Sequence, residues 1–197
     1  LQTILGEVTL TRRRWVCPVC GTVRFAADEA IDVVDTGFSP ALRYLMADRG
    51  SEEAFRHGAK TLDLLAAVRV DGKDVERVAE ETGRKVDAWM QEQGAAAVAL
   101  ASCGQQVVPQ APETMYIEYD GTGNPMRKKE LEGVKGKGVD GKAKTREAKI
   151  GCVFTQTTFD EKGHPVRDEN STTYVGAIEN STDFGHRIYQ EAVRRGL

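Results

Sequence analysis

The segment Gln105–Pro112 (Gln-Gln-Val-Val-Pro-Gln-Ala-Pro) divides this chain into two textures and constrains its fold more than any other feature. Its two prolines lack a backbone N–H and hold φ near −65°, so neither a helix nor a central strand runs through them. Before the segment, apolar residues recur at helical spacing. After it they alternate, as in strands. The expected fold class is therefore α+β. The expected organisation is 1–38 a short segment with a Cys-x-x-Cys knuckle, 39–104 a helical region, 105–113 a linker and 114–197 a sheet-bearing part. No internal repeat interrupts this order.

The 197 residues suffice for one or two domains at roughly 100–200 residues each. An apolar share of 40% and a charged share of 29% exclude a collagen, a long disordered tail and a simple disulfide scaffold. The longest apolar stretch, around Ala95–Ala101, is Ala-rich and far shorter than the roughly 18 residues of a membrane helix. The first residues lack a basic region followed by an apolar core, so no signal peptide is expected. Reduced thiols in a cytoplasmic protein are then the default. The chain opens on Leu1 in strand-like material and stops just past Gly196, where a helix would end, and both ends are expected to be cuts in a longer reading frame.

Along the first texture, Leu1–Val16 reads as a half-buried strand through Val8, Leu10, Trp15 and Val16, around the run Arg12-Arg13-Arg14. Ser39-Pro40 predicts a helix start, with Ser39 as N-cap and an end near Gly50. Ser51 predicts a second N-cap, for a helix carrying Phe55, Leu62, Leu64 and Leu65 to about Val68. Asp71 predicts a third, before Val75, Val78, Ala79, Thr82, Val86, Trp89 and Met90 at helical spacing. Two helices joined by so short a turn resemble a helix-turn-helix, with Lys73, Arg77 and Arg84 as DNA-reading candidates. The alternative is three helices that only pack together.

Along the second texture, Met115–Asp120 is a predicted strand ended by Gly121-Thr122-Gly123. Glu147–Phe159 is a second strand, with Ile150, Cys152, Phe154 and Thr158 on one side, and 160–163 turns it. Thr172–Ile178 is a third strand. Ser181–Arg195 is a helix with Phe184, Ile188, Tyr189, Ala192 and Val193 inward. Between the first two strands, Arg127–Lys149 holds nine basic and four acidic residues, a local +5 hidden in a chain of net charge −3. Its cations Arg127, Lys128, Lys129, Lys135, Lys137, Lys142, Lys144 and Arg146 suit phosphate contacts from a Gly-rich loop beside Asp120. The alternative is a solvated hairpin.

Two motifs bear on chemistry. In Cys17-Pro18-Val19-Cys20-Gly21, two thiolates two residues apart can reach one Zn2+ from a tight turn. A structural zinc wants four ligands, and Cys103, Cys152, His57, His164 and His186 make no second pair, so Cys17 and Cys20 form half a site. A redox role is the weaker alternative, because no βαβ pattern surrounds the motif. Asp120 is expected exposed at a strand tip, within reach of a metal or substrate. A plain turn residue is the alternative. Glu118 shares its face if the strand is regular. The β-β-β-α order with Asp on the first strand is how an RNase H-like nucleotidyl-transfer core begins. Such cores hold two Mg2+ between carboxylates, and one carboxylate alone cannot do this.

The chain resembles bacterial insertion-sequence transposases of the DDE type, in the Kra-type group. The resemblance rests on Gln2–Val8, Cys17–Gly21, Val75–Ala79, Asp120–Met126, Lys144–Glu147, Gly151–Gln156 and Ser171–Ile178, and it covers essentially the whole chain. It implies that Asp120 is the first catalytic aspartate and a Mg2+ ligand. It also implies that the second aspartate and the glutamate lie beyond Leu197, and a further Cys pair lies before Leu1. DNA is the implied partner, as transposon ends and target, with no membrane, a nucleoid-associated location and a homo-oligomer in the intact family. Family members cut transposon ends and join them to target DNA by metal-dependent phosphoryl transfer. This chain is expected to be inactive alone, or to act as a DNA-binding repressor without catalysis.

Overall fold

A computed structural model describes residues 1–136 and 143–197; Lys137 and Lys142, expected phosphate contacts, lie outside the described residues. The fold is mixed α+β with small antiparallel sheets. It divides into two compact units, Leu1–Asp87 and Ala88–Leu197. No helix among the described residues is long and apolar enough to cross a membrane.

The first unit opens with two short hairpins instead of one long strand. β1 (Gln2–Thr3) pairs with β2 (Gly6–Glu7), and β3 (Trp15–Val16) pairs with β4 (Val23–Arg24). The expected strand breaks because Gly6 takes a φ of 113° and Thr3 closes the turn, its Oγ1 accepting from the Leu5 N–H at 3.1 Å. Val8 and Trp15 are left exposed. A one-turn α1 (Ala26–Ala30) follows, in which Asp28 is buried against the Arg12 guanidinium.

α2 (Pro40–Glu52) starts as its sequence predicts, with the Ser39 hydroxyl accepting from the Leu42 N–H at 3.3 Å. Ser51 is no cap. It lies in the last turn of α2 and its hydroxyl donates back to the Asp48 carbonyl at 2.8 Å, the local bond that competes with capping. α3 (Phe55–Ala66) closes on Ala67 in the left-handed region. Leu62 is buried but Leu64, about 200° around the helix from it, is 82% exposed, and Leu65 in the last turn is exposed as well. α4 (Gly72–Ser102) has 31 residues and begins at Asp71, whose carboxylate accepts from the Lys73 N–H at 2.7 Å. Leu42, Met46, Ala59, Leu62, Val68, Val75 and Val78 form the core of the first unit.

The second unit is an antiparallel meander with one helix against it. β5 (Met115–Pro125) pairs along its whole length with β6 (Thr145–Thr155), which pairs on its other edge with β9 (Thr173–Ala177). β7 (Thr158–Phe159) and β8 (Pro165–Val166) form a small hairpin within the connection. The expected second strand thus stops at Thr155, and Thr158 belongs to a separate ladder. α5 (Ser181–Arg194) is capped by Asn180, whose side chain accepts from the Asp183 N–H at 2.9 Å.

Phe184, Ile188 and Ala192 on α5 meet Val153 and Val175 of the sheet in the second core. Gly151 makes room for this contact, since a Cβ there would lie 2.5 Å from Ile188 Cδ1. Tyr189, expected inward, is 51% exposed. It follows Ile188 by one residue, about 100° around the helix from the buried stripe.

Candidate functional site

Register decides which strand residues share a surface. Directly opposed residues of an antiparallel pair point to the same face. α5 covers the face of Gly151, Val153 and Val175, so Ile150, Cys152 and Phe154, with their partners Asp120, Glu118 and Tyr116, occupy the opposite face. Glu118 and Asp120 therefore lie side by side on the face that α5 leaves open, both exposed. Asp120 is not at a strand tip. The ladder continues through Gly121↔Lys149 to Pro125↔Thr145, because β6 offers backbone partners over the same length and its Glu147 side chain crowds Gly121, where a Cβ would be 2.6 Å from Oε1. The Asp120 carboxylate accepts from the Gly121 N–H at 2.7 Å.

The open face carries a cation with no obvious mark in the sequence. Arg167 lies over the Phe154 ring, 3.6 Å from its centroid, with Tyr116 stacked on that ring at 5.3 Å. Its guanidinium is 4.0 Å from Glu118. Asp168 holds the segment that presents it. Its carboxylate accepts from the Thr155 hydroxyl at 2.6 Å, the Thr157 N–H at 3.0 Å and the Thr158 hydroxyl at 3.3 Å. Those bonds, the Thr155 hydroxyl first, hold the Asp168 carboxyl below the usual aspartate range.

Of the basic candidates, Arg127, Lys128, Lys129, Lys135 and Lys144 are exposed around the loop that joins β5 to β6. Arg146 is half-buried and donates to the Ile178 carbonyl at 3.0 Å. Lys149, part of the same positive run, is buried, with Glu147 at 2.6 Å and the Glu179 carbonyl at 2.8 Å. The loop was expected beside Asp120. It begins after Pro125, five residues further along β5, which at about 3.4 Å per residue is about 17 Å away.

On α4, Lys73 pairs with Glu76 at 2.6 Å, Arg77 with Asp74 at 3.1 Å and Arg84 with Glu80 at 3.8 Å. Each of these three cations thus has an acid on its own helix. All three stay solvent-exposed.

Cys17 and Cys20 sit on the turn between β3 and β4. The Gly21 N–H donates to the Cys17 carbonyl and the Cys17 N–H to the Thr22 carbonyl, both at 2.9 Å, with Gly21 at a φ of 70°. The Cys20 sulfur lies 3.0 Å from the Thr22 hydroxyl. Hydrogen bonds from Thr22, and then from Cys17, lower the Cys20 thiol to about 7. The pair fits half of a tetrahedral thiolate set for zinc. Glu118 and Asp120 likewise supply two oxygen-donor side chains for a hard cation such as Mg2+. Among the described residues, no group of three or more His, Cys, Asp or Glu side chains gathers at either place. Compared with protein-family models, with curated proteins and with solved structures, the chain matches none.

Proposed function

We infer that this chain is a DNA-handling part of a DDE-type transposase. In this reading, 114–197 is the opening β-β-β-α of an RNase H-like domain and the Cys17–Cys20 hairpin is half of a zinc ribbon. The observation that carries it is the pairing of Glu118 and Asp120 on the open face of a β-β-β-α unit. Asp120 is the first acid of the catalytic triad, and the other two acids come from outside this sequence. Mg2+, when bound between such acids, activates the attacking oxygen and stabilises the leaving one. This chain's own residues bind and align DNA. Arg127, Lys128, Lys129, Lys135 and Lys144 take phosphates at the loop. A strand held there passes Asp120 about 17 Å away, roughly five phosphates along at 3.4 Å each. The working compartment is the cytoplasm, at the nucleoid.

The test is anisotropy on a labelled duplex across a salt series, followed by incubation of the duplex with Mg2+ or Mn2+. Binding that weakens steeply with salt, without cleavage, is the expected result. No binding at low salt overturns the reading. Metal-dependent cleavage that disappears in Asp120→Asn overturns the claim of inactivity while supporting the role of Asp120. A second reading, a DNA-binding repressor without catalysis, takes its support from the exposed Lys73, Arg77 and Arg84 along α4. Sequence-specific binding to one duplex end, lost in Arg77→Glu, distinguishes it.

A further inference from the structure

We propose that Arg167 is a phosphate-binding residue for a DNA strand lying along β5, on the far side of Asp120 from the basic loop. The inference rests on the DNA reading above and adds a second point of hold to it. The first ground is how Arg167 is fixed. Its guanidinium lies 3.6 Å from the centroid of the Phe154 ring, which is itself buried and stacked on Tyr116. The aromatic face attracts the cation and restricts where it goes. Asp168 tightens the hold from the next position in the chain. Its carboxylate accepts from the Thr155 hydroxyl, the Thr157 N–H and the Thr157 and Thr158 hydroxyls at 2.6–3.3 Å. A side chain so constrained has already lost much of the freedom that binding takes away.

The second ground is the set of donors that Arg167 leaves unused. A guanidinium carries five N–H donors in a planar fork. Among the described residues, the acid that Arg167 approaches is Glu118, at 4.0 Å, which is beyond hydrogen-bond length. Other arginines of the chain are spent on carboxylates: Arg24 on Glu29, Arg43 on Asp32 and Arg194 on Glu191, at 2.5–2.7 Å. The Arg167 side chain stays 42% exposed, so a ligand on the open face reaches its fork. A pre-set planar fork with free donors matches the paired oxygens of a phosphate.

The third ground is position. Phe154 is the register partner of Tyr116, four residues before Asp120 on the same face, so the row under Arg167 lies about 14 Å from Asp120 along β5. The basic loop starts after Pro125, about 17 Å away in the other direction. Cations therefore stand on both sides of Glu118 and Asp120. Those two acids repel a polyanion, and a strand tied only at the loop is free to swing off them. A second phosphate held at Arg167 draws the strand across both acids.

The experiment reads anisotropy of a labelled duplex across a salt series, without divalent cations, for the full chain and for Arg167→Gln and Arg167→Lys. Urea unfolding checks the fold of each variant. Arg167→Gln is expected to bind about tenfold more weakly at low salt and to flatten the log–log salt slope by about 1, the share of one phosphate. Arg167→Lys keeps the charge and loses the fork, so it is expected to keep the parent slope at reduced affinity. A second measurement uses the unaltered chain. Phenylglyoxal modification of Arg167, read by mass spectrometry, is expected to slow when the duplex is bound. A parent-like slope in Arg167→Gln, an equally flattened slope in Arg167→Lys, or modification at one rate with and without duplex overturns the proposal and leaves DNA binding standing. No binding by the parent at low salt overturns the DNA reading, and this inference with it.

Discussion

Phe184→Ala removes the largest fully buried side chain, from the contact that seats α5 on the sheet. The ring sits among Val153, Val175, Ile188 and Ala192 and is 2% exposed, so truncation leaves a cavity that strands paired on both sides of β6 cannot close. A Phe-to-Ala change at such a site costs about 3–5 kcal/mol. A unit the size of Ala88–Leu197 has about 5–15 kcal/mol of stability in total, so the loss is a large fraction of it.

The assay is urea unfolding followed by tryptophan fluorescence in a Trp15→Phe background, which leaves Trp89 of the second unit as reporter and avoids mixing two transitions. Phe184→Ala is expected to lower the unfolding free energy by that amount, seen as a lower midpoint with an unchanged slope. Tyr189→Ala, on the exposed side of α5, is expected to stay within about 0.5 kcal/mol of the parent. A Phe184→Ala loss below about 1 kcal/mol, or a Tyr189→Ala loss equal to it, would refute the helix register that leaves Glu118 and Asp120 on the uncovered face.

Ser39→Ala is expected to destabilise the first unit by about 1 kcal/mol in thermal melts, whereas Ser51→Ala, inside a helix, stays within about 0.5 kcal/mol. For Asp168, the lowered folded value means its contribution is complete above the unfolded carboxyl value of about 4 and is lost as pH falls through the folded one. The melting difference between parent and Asp168→Asn should therefore be full at pH 7 and shrink below pH 4, and a difference constant with pH contradicts the hydrogen-bonding account. Replacing Lys128, Lys129 and Lys144 together by Gln is expected to flatten the log–log salt slope of DNA binding by about 2–3, and an unchanged slope removes the loop from the interface. Asp120→Asn, at an exposed side chain, is expected to leave stability within about 0.5 kcal/mol by the same urea assay.

Much of the local structure was legible in the sequence because its signals are local. Ser39-Pro40 and Asp71 mark helix starts through bonds to N–H groups two or three residues on. The β-β-β-α order follows from alternation and from the spacing of Phe184, Ile188 and Ala192. Ser51 misled because the same hydroxyl can cap the next helix or bond back into the previous one, and the chain continuing from Asp48 decides between them. Arg167 was not legible at all. Its place over Phe154 depends on a connection folded back by Asp168, whose bonds to Thr155 span 13 residues.

The sequence by itself determined the α+β texture, the Cys17–Cys20 turn, the positive run between the first two strands and the presence of Asp120 on the first of them. Only the tertiary structure decided what those features face. Strand pairing has no local signal for its length, so only the ladder from Met115 to Pro125 moved Asp120 from a tip to mid-strand. The same ladder set the start of the basic loop, after Pro125, about 17 Å along the strand instead of beside it. Docking of α5 on one face then left the other face, with Glu118, Asp120 and Arg167, uncovered by that helix. A sheet has two faces, and which one is covered depends on contacts distant in sequence.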